Sequence, residues 1–248
     1  TITVTDDDSR FTGIRAAIDG TRVGDSFSAQ GTAGADALSI NSNDANYWYN
    51  FTLYGLGGND VLIGRDRQYW NGKDYLDGGA GNDELNGGGS RDDLTGGAGN
   101  DWFIFDNLDE IGQEAGSCDV ITDFTPGSDV IDLSGAFSAG ATWRGTRTFT
   151  NTANEVRYTV DGTNNRTLVE IDRNGDGNAD QRINLTGTKL LQARDVVLVV
   201  ADIPEISIEA ASVREGDGGA RTLTFTISLS SAATSAISVD YATSDLLA

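Results

Sequence analysis

Gly78-Gly79-Ala80-Gly81-Asn82-Asp83-Glu84-Leu85-Asn86 returns, eighteen positions on, as Gly96-Gly97-Ala98-Gly99-Asn100-Asp101-Trp102-Phe103-Ile104. Both strings follow G-G-x-G-x-D-x-U-x, where U is a large apolar residue. Glycine takes positive φ without steric cost, so the first six residues can turn sharply with their carbonyls pointing inward. The last three form a short strand whose apolar member, Leu62, Leu76, Leu85, Leu94 or Phe103, points to the core. Two nonapeptides make one turn of a right-handed coil, and coils stack at about 4.8 Å, the ordinary spacing of paired strands. A three-residue strand buries little by itself, so the array depends on its neighbours.

Six copies can be written down: Gly31–Ser39, Gly55–Ile63, Tyr69–Asp77, Gly78–Asn86, Gly87–Thr95 and Gly96–Ile104. A weaker one starts at Gly20. The last four run without a gap, whereas Ile40–Tyr54 and Gly64–Gln68 interrupt the earlier ones. Tyr69-Trp70 replaces one Gly-Gly pair, and Ser90 replaces one fourth-position glycine. A single copy would read as an ordinary Gly/Asn/Asp turn. Four contiguous copies in register do not.

The sixth position is always aspartate: Asp36, Asp60, Asp74, Asp83, Asp92 and Asp101. Stacking like charges on every coil is unfavourable unless a cation joins them. Calcium, a hard ion that takes roughly six to eight oxygens, can bridge these carboxylates and the turn carbonyls of adjacent coils. Folding and the binding of several calcium ions then become one event.

Composition agrees. The net charge is −21, and residues 55–132 hold 17 acidic side chains against Arg65, Arg67, Lys73 and Arg91. Such a segment repels itself when compact unless cations neutralise it, and an acidic surface argues against nucleic acid as a partner. Histidine is absent, which removes His-based zinc sites and Ser-His-Asp triads. Cys118 is the only cysteine, so no internal disulfide forms. No apolar run is long enough for a membrane span, and no signal peptide opens the chain. A start at Thr1 without Met reads as a fragment of something longer. No catalytic constellation stands apart from the repeat, so the chain is expected not to be an enzyme.

Beyond Ile104 the glycines thin out and two-residue alternation begins. Candidate strands are residues 119–124, 128–134, 147–151, 155–160, 166–172, 181–185 and 195–200, with a short helical turn within 188–194. Residues 172–177 fit the start of an EF-hand loop, but its twelfth position is Ile183 rather than the bidentate Glu, and strands on both sides suggest a hairpin. Pro204 marks a further boundary, after which residues 206–208, 223–229 and 237–241 alternate strictly. The expected fold is all-β: a parallel β-roll, an antiparallel β domain capping it, and a partial β-sandwich. The expected divisions are 1–20 (end strand of a preceding domain and linker), 21–104 (roll), 105–202 (cap) and 203–248 (partial sandwich).

The nonapeptides resemble the calcium-binding repeat of RTX proteins. Asp119-Val120-Ile121-Thr122-Asp123-Phe124, Gly127-Ser128-Asp129-Val130-Ile131-Asp132 and the closing Ala193-Arg194-Asp195-Val196-Val197-Leu198 resemble the C-terminal region of serralysin-type proteins, a match spanning about residues 31–200. The resemblance implies a non-catalytic calcium-binding β-roll serving folding and type I secretion. It implies as ligands the six repeat aspartates and Asp119. It adds the carbonyl region of Gly55, Gly57, Gly58, Asn71, Gly72, Gly78, Gly79, Ala80, Gly81, Gly87, Gly88, Gly89, Gly96, Gly97, Ala98 and Gly99. The segments Thr1–Asp8 and 206–248 resemble pieces of Calx-β motifs, with Glu215, Asp245 and Asp6–Asp8 at positions that bind calcium in that family.

Three functions are open at this point. The first is a calcium-folded structural module of a large secreted or cell-surface bacterial protein, such as an adhesin or surface-layer component. Its partners would be other domains of the same protein, or a second copy through the incomplete sandwich. The second is the secretion and folding module of a secreted protease, lipase or polysaccharide epimerase. The third is carbohydrate binding by the aromatics of Tyr47–Phe51 and Tyr69–Trp70. The outward asparagine column Asn59, Asn82 and Asn100 lacks the threonines an ice-binding face needs.

Overall fold

The apolar position of each repeat stacks on that of the next repeat in the same sheet, in two parallel ladders, and these ladders are the fold. The computed structural model describes residues 26–39, 50–64, 73–109, 111–112, 117–138, 140–198, 206–208 and 227–229. Within them one sheet carries β1 (Ser26–Gln30), β3 (Asn50–Gly57), β5 (Tyr75–Ala80), β7 (Asp93–Ala98) and β9 (Val120–Ile121). The facing sheet carries β2 (Ala37–Ser39), β4 (Val61–Ile63), β6 (Glu84–Asn86), β8 (Trp102–Ile104) and β10 (Val130–Asp132). All neighbours in these two runs pair in parallel. The chain is all-β, a parallel β-roll.

Register follows the motif. Leu38, Leu62, Leu85, Phe103 and Ile131 lie opposite one another on the second sheet. Leu53, Leu76, Leu94 and Ile121 do the same on the first. All nine side chains are essentially buried, and together they fill the space between the sheets. Each buried Leu, Ile or Phe contributes about 1.5–3 kcal/mol, which no three-residue strand would secure unpaired.

The two sheets are unequal. β4, β6 and β8 have three residues each, as the motif predicts. By contrast β3, β5 and β7 run six to eight residues, straight through the first two positions of the motif. In that sheet the first residues of the motif therefore extend the strand and do not turn. Gly79 (φ +100°) and Gly97 (φ +98°) keep the ladder while adopting a backbone that side chains avoid. Leu56, in the same column, adopts φ +78° without being glycine.

The ladders cross the expected division at Ile104. β9 pairs with β7 and β10 with β8, and β15 (Val196–Val197) adds a further parallel strand beside β10. On the first sheet β14 (Gln181–Thr186) joins β9 in parallel and leads into the antiparallel β13 (Arg166–Asp172) and β12 (Glu155–Asp161). The expected antiparallel segment is thus a continuation of the roll's own sheet. Its core face carries Val156, Tyr158, Val169, Ile171, Ile183 and Leu185, all buried, whereas Val160 is exposed.

One expected strand is absent. Residues 147–151 are irregular; Phe149 is buried there and Thr150 donates its N–H and hydroxyl to Glu155. The strand lies earlier, at β11 (Thr142–Gly145), parallel to β12, with Trp143 stacked on Tyr158 at 6.0 Å. The short helical turn is a 3-10 turn at Ala193–Asp195.

The chain divides into two compact units, Thr1–Val199 and Val200–Ala248. In the second, β16 (Ile206–Ile208) and β17 (Ile227–Leu229) pair antiparallel. The rest of the Calx-β-like segments, including Asp6–Asp8, Glu215 and Asp245, lies outside the described residues. No helix among the described residues is long and apolar enough to cross a membrane.

Candidate metal centre

From Asp60 onward, each repeat aspartate has its Oδ1 held by an N–H of the coil before it. The Asp36 N–H donates to Asp60 Oδ1 (2.7 Å), Asp60 N–H to Asp83 Oδ1 (2.8 Å), and Asp83 N–H to Asp101 Oδ1 (3.0 Å). On the other side of the roll Asp74 N–H donates to Asp92 Oδ1 (2.8 Å) and Asp92 N–H to Asp119 Oδ1 (2.7 Å). Asp119, expected at the end of the array, belongs to this second column. All seven residues are buried, at 1% exposure or less.

The second oxygen is the informative one. Oδ2 of Asp60, Asp83 and Asp101 is buried, and no hydrogen-bond donor reaches it. It faces the first glycine of its own repeat: a Cβ on Gly55, Gly78 or Gly96 would fall on that oxygen. A Cβ on Gly55 would also fall on the Gly78 carbonyl oxygen. Gly87 holds the same relation to Asp92 Oδ2, with 2.8 Å between the oxygen and a notional Cβ. The glycines thus leave a cradle of backbone and carboxylate oxygen that a side chain would fill.

Burial makes these carboxylates expensive to ionise. It pushes Asp60 up to about 7 and Asp101 up to about 6, with repulsion from stacked neighbours adding to it (Asp83 and Asp36 for Asp60; Asp129, Asp83 and Asp123 for Asp101). Asp83 is raised for the same first reason, with Asp77 adding repulsion. A buried, unpaired oxygen costs roughly 1–3 kcal/mol, more when charged. A divalent cation cancels that cost.

The donor set fits a hard cation. It is all oxygen, it alternates carboxylate and carbonyl, and it contains no sulfur or imidazole. Among the described residues no three carboxylates converge on one point, so an ion there would draw heavily on backbone carbonyls. The carbonyls of Ala80 and Ala98 also accept the Gly58 and Gly81 N–H groups, at 2.8 and 2.9 Å, leaving each a second lone pair. Asn71 and Gly72 lie outside the described residues.

Three aspartates of the stack differ. Asp36 accepts the Thr32 N–H and hydroxyl on Oδ2. Asp129, which sequence reasoning missed, continues the first column: its Oδ1 accepts Asp101 N–H (3.1 Å) and its Oδ2 accepts Thr125 N–H (2.7 Å). Asp195, also missed, accepts Gly127 N–H and Gln192 N–H. Asp129 and Asp195 have a protein donor on each oxygen, whereas Asp36 keeps Oδ1 buried without one. Gly127-Ser128-Asp129-Val130-Ile131 was the available signal, since it preserves the G-x-D-x-U tail without the leading glycine pair. Asp123, another residue missed, caps the last repeat by accepting Gly96 and Gly97 N–H.

The loop at residues 172–180 is a hairpin turn. Asp172 is buried and accepts Gly175 N–H (2.7 Å) and Gly177 N–H (2.8 Å), one on each oxygen. Asp180 accepts the Arg173 and Asn174 N–H groups, both on Oδ2. Donors fill the place an EF-hand ion would occupy. Of the aromatics weighed for sugar binding, Phe51 is a core residue at 3% exposure. Tyr47, Trp48, Tyr49, Tyr69 and Trp70 lie outside the described residues.

A family model described as Peptidase M10 serralysin C terminal matches residues 52–198. No curated protein matches the chain. Among solved structures, the AlgE6R2 subunit of the Azotobacter vinelandii mannuronan C5-epimerase is 24% identical, over 69% of this chain and 92% of that one, with a TM-score of 0.39. The AlgE6R3 subunit of the same enzyme is 22% identical, over 85% and 94%, with a TM-score of 0.43.

Proposed function

From the premise that the chain belongs to the peptidase M10 serralysin C-terminal family, we propose that its β-roll is a non-catalytic module folded by calcium. The buried Oδ2 atoms of Asp60, Asp83 and Asp101, each facing a glycine cradle without a protein donor, carry this reading. Those aspartates, with Asp36 in the same column and Asp74, Asp92 and Asp119 in the second, would hold the ions together with the turn carbonyls. Calcium supplies positive charge that joins coils which otherwise repel. It performs no chemistry on a substrate.

The biological use follows from the calcium gradient. In low cytosolic calcium the acidic repeats repel one another and the chain stays exportable. Outside the cell, at roughly 10⁻⁴–10⁻³ M calcium, it folds. This suits a structural segment of a large secreted or cell-surface protein, an adhesin or surface-layer component, exported by type I secretion. The family match to a peptidase C-terminal region favours a second reading, in which the module serves the folding and secretion of an attached enzyme. The flanking sequence separates the two: further β repeats fit the first, a catalytic domain the second.

Circular dichroism with calorimetry across a calcium titration tests the proposal. A chain poor in β structure in chelator should gain it cooperatively with calcium. Full β structure in chelator, or equal ordering by magnesium, would overturn it.

A further inference from the structure

The outer face of the first sheet carries a groove of about 380 Å³ that the metal column does not use. Tyr54 on β3 and Tyr75 on β5 line it, and both residues remain 39% exposed. They sit diagonally across the ladder, because Tyr54 faces Asp77 and Tyr75 faces Asp93. Asp77 in turn faces Thr95, whose hydroxyl meets that of Thr122 at 2.7 Å. Asp93 gives one oxygen to Lys73, and its other oxygen, Oδ1, is buried without a partner. The Lys73 ammonium also lies 4.5 Å from the Tyr75 ring centroid, which fixes that ring in place.

The geometry points to a binding groove for a neutral polysaccharide. Two amphipathic rings offer flat apolar surface with a polar rim. Beside them stand carboxylate and hydroxyl oxygens that accept hydrogen bonds from sugar hydroxyls. The volume lies within the range of small-ligand sites, where a few polar groups fix orientation. From β3 to the residue after β9 the lining crosses four neighbouring strands, about 14 Å at ordinary spacing, so it suits a chain rather than a single ring. Two carboxylates against one lysine disfavour a polyanion. The absence of exposed aliphatic side chains in the lining disfavours a protein helix or lipid. The groove differs from the aromatic runs that the sequence singles out, and it rests on the calcium-folded roll proposed above.

Native affinity electrophoresis in calcium-saturated buffer tests it, with hydroxyethyl cellulose and galactomannan as neutral probes and polygalacturonate as the anionic one. The wild-type chain should be retarded by at least one neutral polymer. Tyr54→Ala/Tyr75→Ala should weaken that about tenfold or more, as should Thr95→Trp, which fills the groove by the opposite means. Tyr54→Phe/Tyr75→Phe, which keeps the rings, should retain most of it. Retardation by polygalacturonate alone, by neither neutral polymer, or equally for all variants would overturn the groove. A calcium titration on the same samples separates the two proposals: a normal transition without retardation removes only the groove, and a missing transition removes roll and groove together.

Discussion

Asp83 and Asp101 are joined across one coil by a bond from the Asp83 N–H to Asp101 Oδ1, at 3.0 Å, while Asp101 Oδ2 stays buried without a donor. One carboxylate therefore does two jobs. Oδ1 closes the backbone ladder, and Oδ2 is left for a cation. Asp101→Asn can keep the first and lose the second, since its amide nitrogen would bring N–H groups into an oxygen-lined cradle. Calorimetry should then show fewer bound calcium ions and a calcium midpoint about tenfold higher, equivalent to about 1.4 kcal/mol. Asp129→Asn is the counterpart. Both Asp129 oxygens already accept N–H groups, so it should cost about 1–2 kcal/mol of stability with ion count unchanged. Equal loss of ions in both variants would show that the distinction between ligand and cap is wrong.

Protons and calcium compete for the same oxygens. The folded pKa values of Asp60, about 7, and Asp101, about 6, lie above their ordinary 3.8. A raised folded pKa gives stability that is fully present below the unfolded value, near 4, and is lost as pH rises through 6 to 7. Calcium-stripped protein should therefore gain β structure on acidification from pH 8 toward 4, monitored by circular dichroism. Apparent calcium affinity should fall over the same descent below about pH 7, because binding must expel protons. Greater order at pH 8 than at pH 5 in stripped protein would contradict the assignment.

The period of nine made the roll legible. Leu62, Leu85 and Phe103 were readable as one buried row because the repeat fixes both their spacing and their face. Asp129 and Asp195 were harder to see, because the leading glycine pair that marks the other repeats precedes neither of them. Stacking requires only an aspartate and an apolar residue two positions later, or nearly so, and that short pattern is common in any acidic chain. Tyr54 and Tyr75 escaped for another reason. Tyr75 stands in the three-residue strand of its repeat, but Tyr54 precedes Gly55 in a stretch the repeat leaves unassigned, and only the start of β3 at Asn50 brings the two rings onto one face. The strand at Thr142–Gly145 was missed because its one large apolar residue, Trp143, is flanked by residues without alternation.

Gly99 separates a required glycine from a tolerated one. Its φ is +150°, and a Cβ there would fall on the Gly81 carbonyl oxygen of the neighbouring coil. Gly99→Ala cannot be absorbed by rotating a side chain, because the obstacle is backbone. It should cost about 3 kcal/mol or more, at the upper end of single substitutions, and abolish the cooperative calcium transition or move it to much higher calcium. Gly162, in the turn between β12 and β13, has nothing within 4 Å of a notional Cβ. Gly162→Ala should leave thermal melting within about 0.5 kcal/mol of the parent. Similar losses for both would mean that the packing of adjacent coils is not what restricts position 99.

Leu56 occupies a column of glycines and takes their backbone angle, φ +78°, opposite Gly79. The left-handed region costs an L-residue roughly 1–2 kcal/mol, and Leu56, 44% exposed, recovers little of that by burial. Leu56→Gly removes the strain but frees the unfolded chain, which returns about 0.5–1 kcal/mol. The net gain should be about 0.5–1 kcal/mol, raising the melting temperature by a few degrees in a domain of this size. The calcium stoichiometry should not change, since the backbone already follows the path glycine prefers. A loss of stability would mean that the Leu56 side chain is buried against something in solution, and that the exposed end of β3 is an occupied surface.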